Sequence, residues 1–312
     1  MKHFAIPLAL AACLTLPSGV SAQSGETIAM SDAQMEELVR RSYQYVAMFN
    51  VNQKGALDPD NPQNTGGYNR VKPNTELADH TLRVIARPNN DTLYTVAMID
   101  VTEEPVVLEI PAFDSTYVSL MVTGYDHYVN IPMSTTKGDF DEPANILFYS
   151  ARTPDYAGEP VEGVDMIMET TGDFVSAVFR IMPHAAEPER LKRNLDAMRR
   201  VDVEPLSEFQ GQGDQESHVR SWGSPGMVGR NLDLREDTAR FPPYGSDFEI
   251  FEDRFIEVMQ FVVNHTTFDP DDELDAGLLA TLEPLGIEPG KDYDPDTAPE
   301  IDGEALRNVA QK

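Results

Sequence analysis

Three stretches of the chain combine side chains able to do chemistry. The first is Arg87-Pro88-Asn89-Asn90-Asp91-Thr92-Leu93-Tyr94, with a cation, two amides, a carboxylate and a phenol at the mouth of what reads as a strand. Such a group can hold a polar ligand, which makes Arg87, Asn89, Asn90, Asp91 and Tyr94 the candidate ligand-binding residues. The same residues also make a plain turn. Pro88 fixes φ, Asn and Asp close the turn through their own side chains, and Thr-Leu-Tyr favours extended backbone. On that reading Asp91 accepts turn amides, Arg87 pairs with it, and Asp91→Ala costs about 1–3 kcal/mol in orphaned donors.

The second stretch is Tyr125-Asp126-His127-Tyr128, where a carboxylate adjoins an imidazole. A histidine oriented by an acid can serve as a general base near neutral pH. On a regular strand, however, successive side chains point to opposite faces, so Asp126 and His127 pair only across a turn or bulge after Gly124. The catalytic candidates are therefore Asp91, Asp126 and His127. Asp91 and Asp126 would act as acid and base of a hydrolase only if they lie within about 10 Å of one another. One of the two pKa values would also have to be raised.

The third stretch is acidic. From Asp269 to Glu304 there are thirteen Asp/Glu and one base, Lys291. Asp292-x-Asp294-x-Asp296 has the start of a calcium loop, but Thr297 stands where glycine should and Gly303 where glutamate should. A solvated acidic surface is the better reading. Other chemistries lack their residues. His80, His127, His184, His218 and His265 show no His-Glu-x-x-His spacing, and no Gly-x-Ser-x-Gly elbow or glycine-rich phosphate loop exists. No metal site and no cofactor is expected, and whether the protein is an enzyme stays open.

The elements that must position these residues follow from periodicity. Ser31-x-x-Gln34 is a capping box, and Met35, Leu38, Val39, Val46 and Phe49 recur at helical spacing, predicting a helix over 31–50. Residues 51–79, rich in Asn, Gly, Pro and Asp, read as a long loop. The period then changes to two. Runs at 92–100, 106–110, 117–122, 146–149, 166–168 and 174–181 predict short strands of an antiparallel sandwich rather than βαβ units. Past Pro183 a helix is expected around Leu191, Leu195 and Met198, then an irregular loop over 210–231 containing Trp222. Ser246-x-x-Glu249 opens a further helix, and a shorter one spans about 275–285 before Gly286. Phe261 and Val263 lie on the flank of the helix over 247–264. Left uncovered, they would form an apolar patch for a second copy or a separately encoded partner module.

Charge and the N-terminus restrict where the protein works. The 312 residues carry 53 acids against 24 bases, a formal net charge of −29. Phosphate neutralisation needs Lys/Arg patches, so nucleic acid is excluded as a partner, and anionic lipid surfaces are disfavoured. Phe4 to Leu16 is free of charge and Val20-Ser21-Ala22 has the small-x-small pattern of a secretory cleavage site. Cleavage after Ala22 predicts a periplasmic or secreted protein with no transmembrane span. Lipidation at Cys13, the single cysteine, is the alternative. The expected organisation is a signal peptide over 1–22, an N-terminal helix and loop over 23–79 and a β-sandwich core over 80–182. A helical and loop region packed on the sandwich would follow over 183–291, then an acidic flexible tail over 292–312.

Three strings carry a resemblance: Arg-Pro-Asn-Asn-Asp-Thr-Leu-Tyr at 87–94, Glu104-Pro105-Val106-Val107-Leu108, and Leu285-Gly286-Ile287-Glu288-Pro289-Gly290-Lys291. With them the chain resembles the exported bacterial proteins catalogued as domain of unknown function 1254, from the N-terminal helix to about Asp294. The resemblance implies an immunoglobulin-like β-sandwich with attached helices. It also implies a second jelly-roll-type module in many relatives, beginning where this chain ends, and it brings no settled activity. The functional expectation is an accessory protein binding a small molecule or glycan. The rival is the two-carboxylate hydrolase acting on a glycan or small polar substrate.

Overall fold

The structure is a computed structural model that describes residues 27–80, 89–211 and 240–312. Its first helix, α1 (Asp32–Leu57), begins at the expected capping box. Ser31 Oγ accepts the Gln34 amide, and Gln34 Oε1 accepts the Ser31 amide at 2.9 Å. The helix runs on past Asn50 to Leu57, and the strand β1 (Arg70–Asn74) follows, so the stretch expected as one long loop is shorter and partly extended.

Among the described residues nine strands form two sheets. They are β1, β2 (Leu93–Asp100), β3 (Val106–Ile110), β4 (Val118–Thr123), β5 (Val129–Ser134), β6 (Ala144–Ser150), β7 (Met166–Thr170), β8 (Phe174–Ile181) and β9 (Asp202–Pro205). One sheet has the order β1-β2-β8-β4-β5 and is antiparallel throughout. The other has the order β7-β6-β3-β9, and its β6–β7 pair is parallel, so the wholly antiparallel expectation fails at that pair. Both sheets recruit strands from outside residues 80–182, namely β1 and β9.

The side-chain alternation along β2 and β8 defines the layers. Leu93, Ala97 and Ile99 of β2 meet Val175, Ala177, Phe179 and Ile181 of β8, and together with Val106, Leu108, Ile146 and Phe148 they fill the space between the sheets. Val96 and Met98 of β2 and Phe174 of β8 face the other way, onto a second core shared with the helices. The five-stranded sheet is thus the middle layer. Burial on both faces explains why seven of the eight β2 residues are buried where alternation alone would leave half exposed.

The helical layer comprises α1 and a helical run that opens with one α-turn, α4 (Asp247–Glu249). This run passes through a π-helical turn (Ile250–Arg254) into α5 (Phe255–Asn264), and α6 (Glu273–Leu282) and α7 (Gly303–Ala310) complete the layer. Two earlier helices, α2 (Pro188–Met198) and the single turn α3 (Leu206–Phe209), belong to the sandwich. Gly286, at φ 73°, ends the short helical turn after α6 in the left-handed conformation expected of a C-terminal glycine. Two expectations are corrected. The acidic stretch 292–312 does not end as a flexible tail: α7 packs on α1 and on the π turn, with Leu306 buried. The flank of α5 is not left open either. Phe261 meets Phe49, Tyr125, Phe174 and Phe241 at ring-centroid distances of 5.6–6.3 Å, and Val263 is buried. The apolar patch that would have called for a partner is therefore covered by the protein itself.

Candidate functional site

The turn before β2 is closed by asparagine, not by aspartate. Asn89 Oδ1 accepts the Asp91 amide at 2.8 Å, and Asn89 Nδ2 donates to Thr92 Oγ1 at 3.0 Å. Asn90 and Asp91 are exposed, and the Asp91 carboxylate meets no described side chain or amide. This corrects the expectation that Asp91 holds the turn amides. Arg87 and Pro88 lie outside the described residues. Tyr94 sits one step into β2, opposite Asn74 on one side and Arg180 on the other. The Arg180 guanidinium lies 5.8 Å from the Tyr94 ring centroid, a cation–π distance.

A turn does follow Gly124, yet it separates the acid from the histidine. The His127 amide donates to Gly124 O, and His127 takes a φ of 65° with its side chain exposed. Asp126 points inward, 6% exposed, and accepts the Tyr128 amide at 3.0 Å. Burial pushes the Asp126 carboxyl above its ordinary range, against the opposing hydrogen bond from the Tyr128 amide. Asp126 and His127 form no pair. Asp91 and Asp126 do not converge either. Asp91 precedes Leu93, which is level with Ile181 of β8, whereas Asp126 follows Thr123, which is level with Ser176. Those levels are about 17 Å apart at ~3.4 Å per residue. The register therefore gives no support to a two-carboxylate hydrolase built on this pair.

Near the Asp126 end of the sheet lies a constellation that no spacing in the sequence announces. Asp173, immediately before β8 and 2% exposed, accepts Ser150 Oγ at 2.6 Å, Arg152 Nε at 2.9 Å and His265 Nδ1 at 2.7 Å. Burial alone would raise its pKa. The bonds from His265, Arg152 and Ser150 outweigh that and hold it below the ordinary range. Acid, imidazole and hydroxyl are all present, but the wiring is not that of a nucleophile. Ser150 donates to the acid rather than to the imidazole, so nothing activates its oxygen. The network instead ties β6, β8 and the end of α5 together. Among the described residues no three His, Cys, Asp or Glu side chains converge to hold a metal ion.

Concave surface is found elsewhere. A cleft of about 620 Å³, within the size range of small-molecule sites, lies where α5 meets the chain after α6. Ile28, Ile256 and Leu285 give it apolar walls, and Gln260, Lys291, Asp292, Tyr293 and Thr297 supply polar groups. Its shape depends on Gln260, 3% exposed, which clasps Glu288 through both backbone groups. Nε2 donates to Glu288 O at 2.8 Å and Oε1 accepts the Glu288 amide at 3.2 Å. Asn264 holds the next turn, donating to Lys291 O at 2.7 Å and accepting the Gly290 amide at 2.8 Å. Sequence reasoning singled out Leu285–Lys291 as a string but did not find the cleft. Only the folded chain brings Gln260 and Asn264 beneath that string.

Two packed sheets, one covered on its outer face by helices, define a β-sandwich module with a helical cover. Residues 68–205 match the family described as "Protein of unknown function (DUF1254)". The match includes the strings at 87–94 and 104–108, while the string at 285–291 falls outside it. The VPA0106 protein from Vibrio parahaemolyticus aligns with a TM-score of 0.56 and 20% identity over 90% of this chain and 56% of its own. That likeness is one of fold, and this chain spans little more than half of that protein's length. A protein from Burkholderia cenocepacia aligns with a TM-score of 0.27 and 12% identity, over 53% of this chain and 52% of its own. No curated protein matches the chain. Within the matched segment, Glu104 has a visible structural role. Its carboxylate accepts the Ser207 amide at 2.8 Å and Ser207 Oγ at 3.0 Å, seating α3 beside β3.

Proposed function

We propose that this protein is an exported binding module that holds a small uncharged polar molecule, a sugar or short glycan, in the cleft beneath Leu285–Lys291. The observation that carries the reading is the composition of that cleft. Tyr293, 39% exposed, offers a ring face and a hydroxyl at the rim. Among the described residues the Asp292 carboxylate meets no partner and can accept sugar hydroxyls, while Lys291 gives one donor to Glu288 at 2.7 Å. Glu283, Asp292 and Asp294 together outnumber Lys291, so the local field disfavours an anionic ligand. A neutral polyol meets both an aromatic platform and hydrogen-bonding groups. No bond-breaking step is assigned to it.

Calorimetric titration of the purified protein with a panel of mono- and oligosaccharides tests this reading. Binding should weaken at least about tenfold in Tyr293→Ala, a loss of about 1.4 kcal/mol, at unchanged melting temperature. Saccharide binding that ignores this substitution would refute the cleft. Export rests on the charge-free run and the Val20-Ser21-Ala22 site, which lie outside the described residues. Among the described residues no helix is long and apolar enough to cross a membrane. Mass spectrometry of the periplasmic fraction should find Gln23 at the N-terminus, and an acylated Cys13 would replace this with the lipoprotein reading.

A further inference from the structure

We propose a second site, for a small organic carboxylate, in the groove beside α2. The chain carries only 24 Lys and Arg, yet five of them, Arg190, Lys192, Arg193, Arg199 and Arg200, fall between positions 190 and 200. Next to them is a groove of about 470 Å³ lined by Ala112, Phe113, Asp114, Arg193, Asp196 and Arg200. The acids of the groove are already matched. Asp114 receives Arg190 at 3.1 Å and Arg193 at 2.6 Å, and Asp196 receives Arg199 at 3.1 Å. Arg200 is left over. Among the described residues its guanidinium meets no carboxylate and makes one long bond, Nε to Asp196 O at 3.4 Å.

An arginine uncommitted to any acid among the described residues, beside a second exposed arginine, presents the planar donors that fit a carboxylate. The remaining acids of the molecule do not cancel this. At physiological salt their influence fades over about 8 Å, so an anion in the groove senses the local cations first. Ala112 and Phe113 specify the rest of the ligand. Phe113 packs edge-on against Phe140 at 6.3 Å and is fixed in the inter-sheet core, so the groove has a rigid apolar wall beside its cationic side. An apolar body carrying one carboxylate matches both. The groove shares no residue with the cleft beneath Leu285–Lys291.

The test is NMR titration of the full-length mature protein with benzoate, inorganic phosphate and benzyl alcohol at millimolar concentration. Benzoate should bind more tightly than phosphate, and benzyl alcohol should not bind. Arg200→Gln should weaken benzoate at least about tenfold, the loss of a charge-assisted pair. Lys192→Gln removes the same charge from α2 outside the groove and should change affinity less than about twofold. Both sites are exposed, so unchanged melting temperatures confirm that the variants fold. Absence of benzoate binding, equal loss in the two variants, or phosphate binding as tightly as benzoate would each overturn the assignment. Saccharide titration of Arg200→Gln separates the two sites, because it should remain as in the parent protein.

Discussion

A single buried carboxylate, Asp173, joins three parts of the molecule. Its partners are Ser150 at the end of β6, Arg152 just beyond, and His265 at the C-terminus of α5. Removing it takes the shared carboxylate from Ser150, Arg152 and His265. Because Arg152 is one-third exposed and keeps Thr267 Oγ1, Asp173→Ala should cost about 1–3 kcal/mol, the scale for orphaned hydrogen-bonding groups. The pH dependence has a definite sign. A carboxyl held below its ordinary pKa stabilises the fold in full above the unfolded-state value near 3.9, and this contribution disappears as pH falls through the lower folded value. Urea midpoints of the parent protein and Asp173→Asn should therefore differ at pH 7 and converge as the pH drops below about 4. A constant difference would show that the charge is not what matters. At the turn before β2 the roles are reversed from those expected. Asn89→Ala should cost about 1 kcal/mol through its lost hydrogen bonds. Asp91→Ala, at an exposed side chain with no hydrogen bond among the described residues, should stay within about 0.5 kcal/mol of the parent in denaturant unfolding.

At the scale of elements, three strands escape detection in the sequence, and they share a cause. β1, β5 and β9 each stand at a sheet edge, and each contains a proline: Pro73, Pro132 and Pro205. Proline removes a ladder donor, which only an edge strand can spare, and the polar composition of an edge hides the period of two. The interior strands were legible because both of their neighbours demand β-branched and aromatic residues. The final helix depends on close backbone approach. Gly303 opens α7 against the Glu252 carbonyl in the π turn, where a Cβ would overlap that oxygen, and Arg307 then pairs with Glu252. Gly303→Ala should force α7 away from the π turn and cost about 1–3 kcal/mol, measured as a lower urea midpoint. A wild-type midpoint would mean that α7 contributes little to the fold.

For the whole molecule the dominant quantity is the net charge of −29. Compaction brings these charges together, and the resulting self-repulsion opposes folding until ions screen it. The melting temperature should rise steadily as sodium chloride is increased from low ionic strength through the physiological range. A flat or falling profile would show that local pairs, such as Asp114 with Arg190 and Arg193, outweigh the global repulsion. The layered build also accounts for the helical side. Because the five-stranded sheet is the middle layer, its outer face receives the aromatic side chains of α1 and α5. Phe261 is consumed there rather than left for a partner.

The sequence by itself determined what is local. The Ser31 and Ser246 capping boxes, the positions of the interior strands and the stop at Gly286 all follow from short-range chemistry, and the structure shows each of them. The acidic charge is a matter of counting. What tertiary structure alone decided is convergence. Ser150, Arg152, Asp173 and His265 are spread over more than a hundred residues, and Gln260 lies 28 positions from the Glu288 it clasps. Neither grouping leaves a spacing that can be read along the chain. Two residues close in sequence proved equally deceptive: Asp126 and His127 are neighbours whose side chains part, because a left-handed turn sends one inward and the other to solvent. Which side chains meet depends on how strands pair and layers stack. The register that sets Asp91 and Asp126 at opposite ends of a sheet comes from contacts distant in sequence, whose cost in loop closure only the complete core repays.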